Sequence, residues 1–242
     1  MRLEWPGCVN ARDLGGTPRP TRPGVPGDLP ARDSGLPARD SGLPARDGGP
    51  PVDGVGLPLR DGGSLREGLL IRSDSHALLT PAAVAALRER PPALILDLRW
   101  PRECAASPSP FAADAFYRNV PLLSDPLGYD PPDDSYAPML DHNGPRVARS
   151  LREVAAAGPG AVIVHCHGGR DRTGLLVAIL LTLAGVAPDD IAADYAETPG
   201  CDAAAMRHTV DHAEARYGGI ESYLLTHDVT PAEIEAIRSR FA

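Results

Sequence analysis

Short apolar runs alternate with amphipathic stretches along most of this chain. Residues 93–98 and 161–165 are compact apolar runs, typical of strands buried on both faces of a parallel sheet. Thr-Pro pairs at residues 80–81 and 230–231 predict helix starts, because each supplies an N-cap followed by proline at the first helical position. The pattern predicts further helices over 146–157, 172–184, 188–197 and 203–216, shorter strands over 69–71 and 116–120, and a loop or lid over 124–144. Helices that alternate with buried strands predict an α/β domain with a mainly parallel central sheet flanked by helices.

The segment from 17 to about 60 breaks this alternation. Its seven-residue unit Leu-Pro-Ala-Arg-Asp-Ser-Gly occurs at 29–35 and 36–42, and residues 43–49 repeat it with one substitution. Proline and glycine in every unit oppose helix formation, and a unit has too few apolar groups to offset the entropy of ordering it. We therefore predict a single domain over 1–242, interrupted by a mobile, disordered insertion of low complexity. Its role stays open between a partner-binding tether, a flap over a site and a repeat expansion without function.

The composition argues against several classes of protein. The net charge of -8 argues against a general nucleic-acid binder, which needs clustered positive charge. The longest apolar stretch, at 175–184, is too short to span a bilayer, and no basic, then apolar, leader begins the chain. We expect a soluble cytoplasmic protein without integral membrane contact. The 4 cysteines lie far apart and form no CxxC pair, which favours reduced thiols over disulfides or a zinc site.

Residues 165–174 carry the strongest chemical signal. They read His-Cys-His-Gly-Gly-Arg-Asp-Arg-Thr-Gly and lie between a predicted strand and a predicted helix. Backbone N–H groups of such a loop can converge on an anion, and the helix dipole adds positive potential. Gly168 and Gly169 permit tight curvature and a close backbone approach. Cys166 at the mouth of this loop would be held as a thiolate, the nucleophilic form.

The other residues of the loop predict the partners of that thiolate. Arg172, six positions after Cys166, can hold a phosphate through two hydrogen bonds and stabilise charge during transfer. Asp171 would repel an anion unless it protonates the leaving oxygen; pairing with a neighbouring arginine is the equal alternative. Thr173 can donate a hydrogen bond to the sulfur. The expected substrate-binding residues of the loop are His167, Gly168, Gly169, Arg170, Thr173 and Gly174.

This loop resembles the Cys-x5-Arg signature of protein tyrosine and dual-specificity phosphatases. The ending Asp-Arg-Thr-Gly is closer to bacterial tyrosine-protein phosphatases, whose loop reads His-Cys-x-x-Gly-Lys-Asp-Arg-Thr-Gly. The chain departs from that loop at Arg170, in the place of a lysine that is associated with phosphoinositide binding. The segments 10–16, 65–74 and 95–103 also resemble parts of that family, in the same order along the chain.

The resemblance implies the fold and chemistry of a tyrosine phosphatase. Some members of that family also act on phosphoserine, phosphothreonine or phosphoinositides. In the family, the aspartate of the Asp-Leu-Arg segment, here Asp97, lies near the active site, so Asp97 is a second candidate proton donor. The equal alternative is that Asp97 orders a strand end by bonding to the backbone or to Arg99. Trp100 and Pro101 precede Arg102, so this segment is not the Trp-Pro-Asp acid loop of other tyrosine phosphatases.

These observations predict a cysteine-dependent phosphomonoester hydrolase that needs no metal or organic cofactor. Cys166 would attack phosphorus, Arg172 and the loop amides would bind the oxygens, and Asp171 or Asp97 would supply the proton. The expected partner is a phosphorylated protein, foremost one with phosphotyrosine, or else a phosphoinositide. The alternatives are a rhodanese-like sulfurtransferase and a catalytically silent phosphate-binding module. His165 is expected to support the loop through a backbone hydrogen bond rather than to bind a metal.

Overall fold

The computed structural model describes residues 1–15, 57–130 and 134–242. The predicted insertion at 17–60 therefore lies outside the described residues, except for its last four positions. Those four are ordered: Leu59 is buried, and its N–H donates to the carbonyl of Gly63 at 3.0 Å. The sequence placed these four positions in the insertion, but the structure includes them in the fold, where Leu59 forms a bridge with the distant Val186.

The sheet confirms the predicted α/β class. Its described strands are β1 (Arg12–Asp13), β2 (Leu70–Ser73), β3 (Leu94–Asp97), β4 (Tyr117–Asn119) and β5 (Val162–His165). They lie in the order β1-β2-β5-β3-β4. Only the short edge strand β1 is antiparallel to its neighbour among the described strands; the other pairings are parallel. The central strands β2, β3 and β5 are buried throughout, as continuous apolar runs predict.

The register of the sheet brings three chain segments to one edge. His165 pairs with Ser73 of β2 on one side and with Asp97 of β3 on the other. All three residues end their strands, so the segments that follow them lie side by side at the carboxyl edge of the sheet. Ligands of parallel sheets bind beyond this edge. Cys166 is the first residue past it.

The helices flank this sheet on both sides. Their bounds are α1 Pro81–Glu89, α2 Pro101–Ala106, α3 Ala137–Ala156, α4 Asp171–Leu183, α5 Pro188–Ala196, α6 Ala203–Tyr217, α7 Ile220–Leu225 and α8 Pro231–Phe241. The predicted caps are present: the Thr80 and Thr230 hydroxyls accept from Ala83 and Glu233 N–H groups. Helix α4 is apolar on nearly every face because it packs between the sheet and the helices around it. No described helix combines the length and hydrophobicity needed to cross a bilayer.

The prediction of a loop or lid over 124–144 is wrong for its second part. The sequence predicts a loop or lid there and a helix from Arg146, but α3 already begins at Ala137. Asn143 leaves helical geometry inside α3, at φ -126°, and its side chain bonds to the backbone of Ser124 and Met139. This break lets the chain pass Pro145 and continue as a helix. The short helices α2 and α7 and strand β1 have too little periodicity to be predicted.

Candidate active site

Cys166 lies at the floor of a loop between β5 and α4. Its side chain is buried, and α4 begins five residues later at Asp171. Within the described part of the chain, no backbone or side-chain group accepts a hydrogen bond from the N–H groups of 167–172. Those groups belong to the loop and to the first turn of α4, where the helix dipole adds positive potential. The arrangement favours an anion bound directly above the thiol.

Gly169 explains why the loop can curl here. Its φ is +66°, and a Cβ at this position would lie 2.5 Å from the carbonyl oxygen of Ser73. Its own carbonyl accepts from Asn10 Nδ2 at 3.1 Å and from Arg72 Nη2 at 2.9 Å. Gly168 is different, because a Cβ there would meet only the Arg170 side chain, at 3.8 Å. Close approach therefore requires glycine at 169 but not at 168.

A buried charge network holds the loop from behind. Arg72 also donates to Asp194 Oδ2 at 2.9 Å, and both side chains are almost fully buried. Arg12 donates to the other oxygen of Asp194 at 3.1 Å and to Asn10 Oδ1 at 2.8 Å. The two residues that reach Gly169, Asn10 and Arg72, are thus fixed by one shared network. Removing one member of such a network leaves an uncompensated buried charge.

Alanine at 169 is expected to damage the protein more than alanine at 168. Gly169→Ala should lower the free energy of unfolding by at least about 2 kcal/mol, because the left-handed backbone alone costs about 1–3 kcal/mol for a non-glycine residue. It should also weaken tungstate binding, since the loop must shift away from Ser73. Chemical unfolding and equilibrium anion titration measure both effects. Gly168→Ala is the matched control, and equal damage from the two substitutions would contradict this account.

Glu103 fixes the guanidinium of Arg172. Its carboxylate accepts from Arg172 Nη1 at 2.6 Å and from Nη2 at 2.9 Å. No described residue accepts a hydrogen bond from the Arg172 Nε–H, so this N–H and an outer Nη hydrogen can form a second fork toward an oxyanion. Burial works against both charges, but the ion pair lowers the pKa of Glu103 and raises the pKa of Arg172. Both groups are therefore charged at neutral pH.

Trp100 adds a second contact to the same arginine. The Arg172 guanidinium lies 4.9 Å from the centre of the indole ring, and Arg102 lies 4.4 Å from that centre. The indole N–H donates to the carbonyl of Leu123 at 3.1 Å. The backbone N–H of Trp100 donates to Glu103 at 2.8 Å and so begins α2. Trp100 thus contributes to Arg172 placement, rather than belonging to an acid loop.

Glu103→Gln is expected to lower kcat/KM for an aryl phosphate by about 10- to 100-fold, which corresponds to a lost charged hydrogen bond of about 1.5–3 kcal/mol. Glutamine has an oxygen that can still cap α2 at Trp100, but it loses the charge and one acceptor for Arg172. Steady-state kinetics measure the effect, and thermal unfolding checks that the fold is kept. Glu89→Gln, at an exposed carboxylate of α1, is the control. Unchanged kcat/KM in Glu103→Gln would show that Arg172 needs no such support.

Asp97 is completely buried at the end of β3. Its carboxylate binds the Arg99 guanidinium at 2.7 Å and accepts the Tyr117 hydroxyl, also at 2.7 Å. Burial would raise its pKa, but its charged and hydrogen-bonding partners hold that pKa below the usual range. Burial lowers the pKa of His165, which is then neutral, so we attribute the effect on Asp97 to Arg99 and Tyr117. The contacts are those of a strand-end anchor, one of the two interpretations that the sequence left open.

Asp171 opens α4, next to the loop. Its side chain is half-buried, and its Oδ1 accepts the hydroxyl of Tyr136 at 2.8 Å. No described arginine forms an ion pair with it. The structure therefore does not contain, among the described residues, the pairing that was the alternative to an acid role. Asp171 and Arg172 lie in one helical turn but have different partners, Tyr136 and Glu103.

The remaining loop residues divide between an open face and a buried face. His165 Nδ1 lies 3.1 Å from the carbonyl oxygen of Cys166, which confirms the predicted backbone bond. His167, Gly168 and Arg170 are exposed. The expected hydrogen bond from Thr173 to the sulfur is wrong for this structure: Thr173 Oγ1 is buried and has no partner among the described residues. Gly174 faces the ring of Tyr195, and a Cβ on it would lie 2.5 Å from that ring, so helix packing requires this glycine.

Several functional contacts were missed in the sequence. Glu103 and Asn10 lie in the segments that resemble known phosphatases, but their neighbours in the sequence do not indicate which residues they contact. Tyr136 lies in the segment predicted as a loop or lid, where the sequence suggested a contact with substrate; its contact with Asp171 was missed, because the two residues are 35 positions apart.

Comparisons with known proteins agree with this geometry. A model described as the tyrosine phosphatase family matches residues 45–201 and 198–242. A tyrosine-protein phosphatase of Nostoc commune is 27% identical over 219 residues, covering 70% of this chain and 73% of that protein. A tyrosine-protein phosphatase relative from Cupriavidus necator is 30% identical over 151 residues, covering 57% of this chain and 55% of the relative.

Proposed function

Because the chain belongs to the tyrosine phosphatase family, we propose that it hydrolyses phosphate monoesters through a cysteinyl-phosphate intermediate on Cys166. The observation that carries the proposal is the row of N–H groups without described acceptors at 167–172, around a buried cysteine at the carboxyl edge of the sheet. An anion is the ligand that such a row of donors favours. Arg172 interacts electrostatically with Cys166 and is already paired with Glu103.

In the first step, the sulfur of Cys166 attacks phosphorus in line with the leaving oxygen. The new S–P bond forms as the P–O bond breaks, and the electron pair of that bond stays on the leaving oxygen. Asp171 donates its proton to this oxygen. The free fork of Arg172 and the amides of 167–172 stabilise the charge on the three equatorial oxygens.

In the second step, water attacks the cysteinyl phosphate. Asp171, now a carboxylate, accepts the proton of that water, and the S–P bond breaks to return a thiolate. Phosphate then leaves the loop. We assign the acid and base roles to Asp171 rather than Asp97, because Asp97 is ionised and its oxygens are engaged by Arg99 and Tyr117.

We propose phosphotyrosyl protein as the main substrate. Support comes from the family model and from the name of the Nostoc commune relative, a tyrosine-protein phosphatase. Arg170 is exposed at the open face of the loop and forms no ion pair with a described residue, so it could receive a second anionic group of a substrate. The alternative substrates are phosphoserine, phosphothreonine and phosphoinositide, and a substrate panel distinguishes them from phosphotyrosine.

The panel compares peptides that carry phosphotyrosine, phosphoserine or phosphothreonine with a phosphatidylinositol monophosphate in vesicles. We expect phosphate release to be fastest from phosphotyrosine. Faster release from the lipid would overturn the substrate assignment but not the chemistry. Transfer of sulfur from thiosulfate to cyanide without phosphate release would instead support a sulfurtransferase. Tight binding of the phosphotyrosine peptide without turnover would indicate a silent binding module.

A further inference from the structure

We propose that Tyr136 is a positioning residue for Asp171, and that Tyr195 holds Tyr136 in place. The proposal rests on the function proposed above, in which Asp171 is the proton donor. It assigns a role to a tyrosine at the start of α3, in a segment that the sequence predicted only as a loop or lid. The role is to determine which oxygen of the Asp171 carboxyl carries the proton.

A chain of hydrogen bonds leads to the carboxyl group. Tyr136 donates its hydroxyl hydrogen to Asp171 Oδ1 at 2.8 Å. The Tyr195 hydroxyl lies 2.5 Å from the Tyr136 oxygen. Because Tyr136 has one hydroxyl hydrogen and directs it to Asp171, Tyr195 is the donor in that second bond.

Both tyrosines are protonated at neutral pH. Burial is the main cause that raises the pKa of Tyr136 and the pKa of Tyr195. Tyr136 therefore always has a hydrogen to donate, whether Asp171 is ionised or protonated. When Asp171 is protonated, an oxygen that accepts from Tyr136 is a poor place for the proton, so the proton resides on Oδ2.

The two rings are fixed by packing on separate elements. They meet edge to face with centres 5.7 Å apart. The Tyr195 ring packs on Gly174 of α4, where a Cβ would lie 2.5 Å away. The backbone N–H of Tyr136 donates to Thr209 Oγ1 of α6 at 2.8 Å. Helices α3, α5 and α6 thus jointly hold the hydroxyl that contacts the first residue of α4.

The hydrogen bond from Tyr136 fixes the orientation of the Asp171 carboxyl group. Oδ1 is occupied by Tyr136, so Oδ2 is the atom that transfers the proton to the leaving oxygen and later receives one from water. Without Tyr136, the carboxyl can rotate about its side-chain torsions, and fewer orientations deliver the proton. Such a loss affects poor leaving groups, which need protonation, more than good ones.

Tyr136→Phe tests the proposal with two aryl phosphates. For phenyl phosphate, whose leaving group needs a proton, we expect kcat/KM to fall by about 10-fold or more, the effect of a lost hydrogen bond to a charged group; kcat/KM reports the first step, before the water attack that both substrates share. For 4-nitrophenyl phosphate, we expect kcat/KM to change by less than about 3-fold. Tungstate affinity should not change, because Tyr136 contacts the Asp171 carboxylate and none of the groups that bind the anion. Tyr129→Phe is the matched control, with no effect on either substrate.

A double-mutant cycle with Asp171→Asn completes the test. In the Asp171→Asn background, Tyr136→Phe should have no further effect on phenyl phosphate, because the two residues act as one unit. Equal losses with both substrates, or an unchanged loss in that background, would overturn the role of Tyr136. The unsubstituted protein is the reference: if it hydrolyses neither aryl phosphate, the proposed function itself fails. If it hydrolyses both and Tyr136→Phe behaves like Tyr129→Phe, only the role of Tyr136 fails.

Discussion

Cys166→Ser is expected to lower turnover of 4-nitrophenyl phosphate by at least about 10⁴-fold, because removal of a covalent nucleophile has effects of that size or larger. Serine has nearly the same shape, but its hydroxyl is not ionised at neutral pH and is a far weaker nucleophile than a thiolate. The donors that bind the anion, Arg172 and the amides of 167–172, are unchanged in this variant. Tungstate affinity should therefore stay within a few-fold of the unsubstituted protein, whereas turnover is lost.

Steady-state kinetics and anion titration measure the two halves of this prediction. Cys104→Ser is a suitable control, because Cys104 is half-buried beside Asp97 and takes no part in the proposed reaction. Retained turnover in Cys166→Ser would exclude covalent catalysis by this cysteine. Loss of tungstate binding together with turnover would show that the substitution disrupts the loop, and Cys166 would then need a different probe.

Arg172→Lys should lower kcat/KM by about 10³-fold, since removing a charged donor to a transferring phosphoryl group has effects of about that size. Arginine can bind Glu103 with one fork and the phosphoryl oxygens with another, whereas an ammonium group cannot do both. Lysine keeps the charge but loses the second fork and the stacking on Trp100. We expect kcat to fall as well as KM to rise, because the arginine binds the transition state more tightly than the substrate.

Arg102→Lys is the control for this substitution. Arg102 also stacks on Trp100, on an exposed surface, but it pairs with Asp125 instead of Glu103. Exposed ion pairs contribute about 0–1 kcal/mol, so kcat/KM should change by less than about 5-fold. A loss of less than about 10-fold in Arg172→Lys, or similar losses in both variants, would contradict the placement of Arg172 in the site.

Local sequence signals were sufficient for the elements that carry the site. Strand β5 and helix α4 have continuous apolar runs, and the loop between them contains the glycines and the arginine that anion binding requires. Thr80 and Thr230 begin helices where their cap patterns predict them. Each of these features depends on residues within a few positions of one another, which is why a pattern along the chain can reveal them.

The supports of the site were not predictable in this way. Arg72 and Asp194 are 122 positions apart, and Glu103 and Arg172 are 69 apart. Such pairs form only when folding brings separate helices and strands together, and a charged residue gives no local sign of its distant partner. The sequence could not decide between Asp171 and Asp97 as proton donor for the same reason. Arg99, the partner of Asp97, is only two residues away, but the burial of Asp97 depends on the whole fold.

If phosphate is transferred through Cys166, a cysteinyl phosphate can be trapped during turnover. The protein is mixed with a labelled aryl phosphate, the reaction is stopped with acid during the first turnovers, and the labelled peptide is mapped. Asp171→Asn, which should slow release of the intermediate, serves as a second sample. We expect a phosphoryl group on the peptide that contains Cys166, in both samples and not in Cys166→Ser. Active protein that releases phosphate with the label on another residue, or with no label on any residue in either sample, would contradict it.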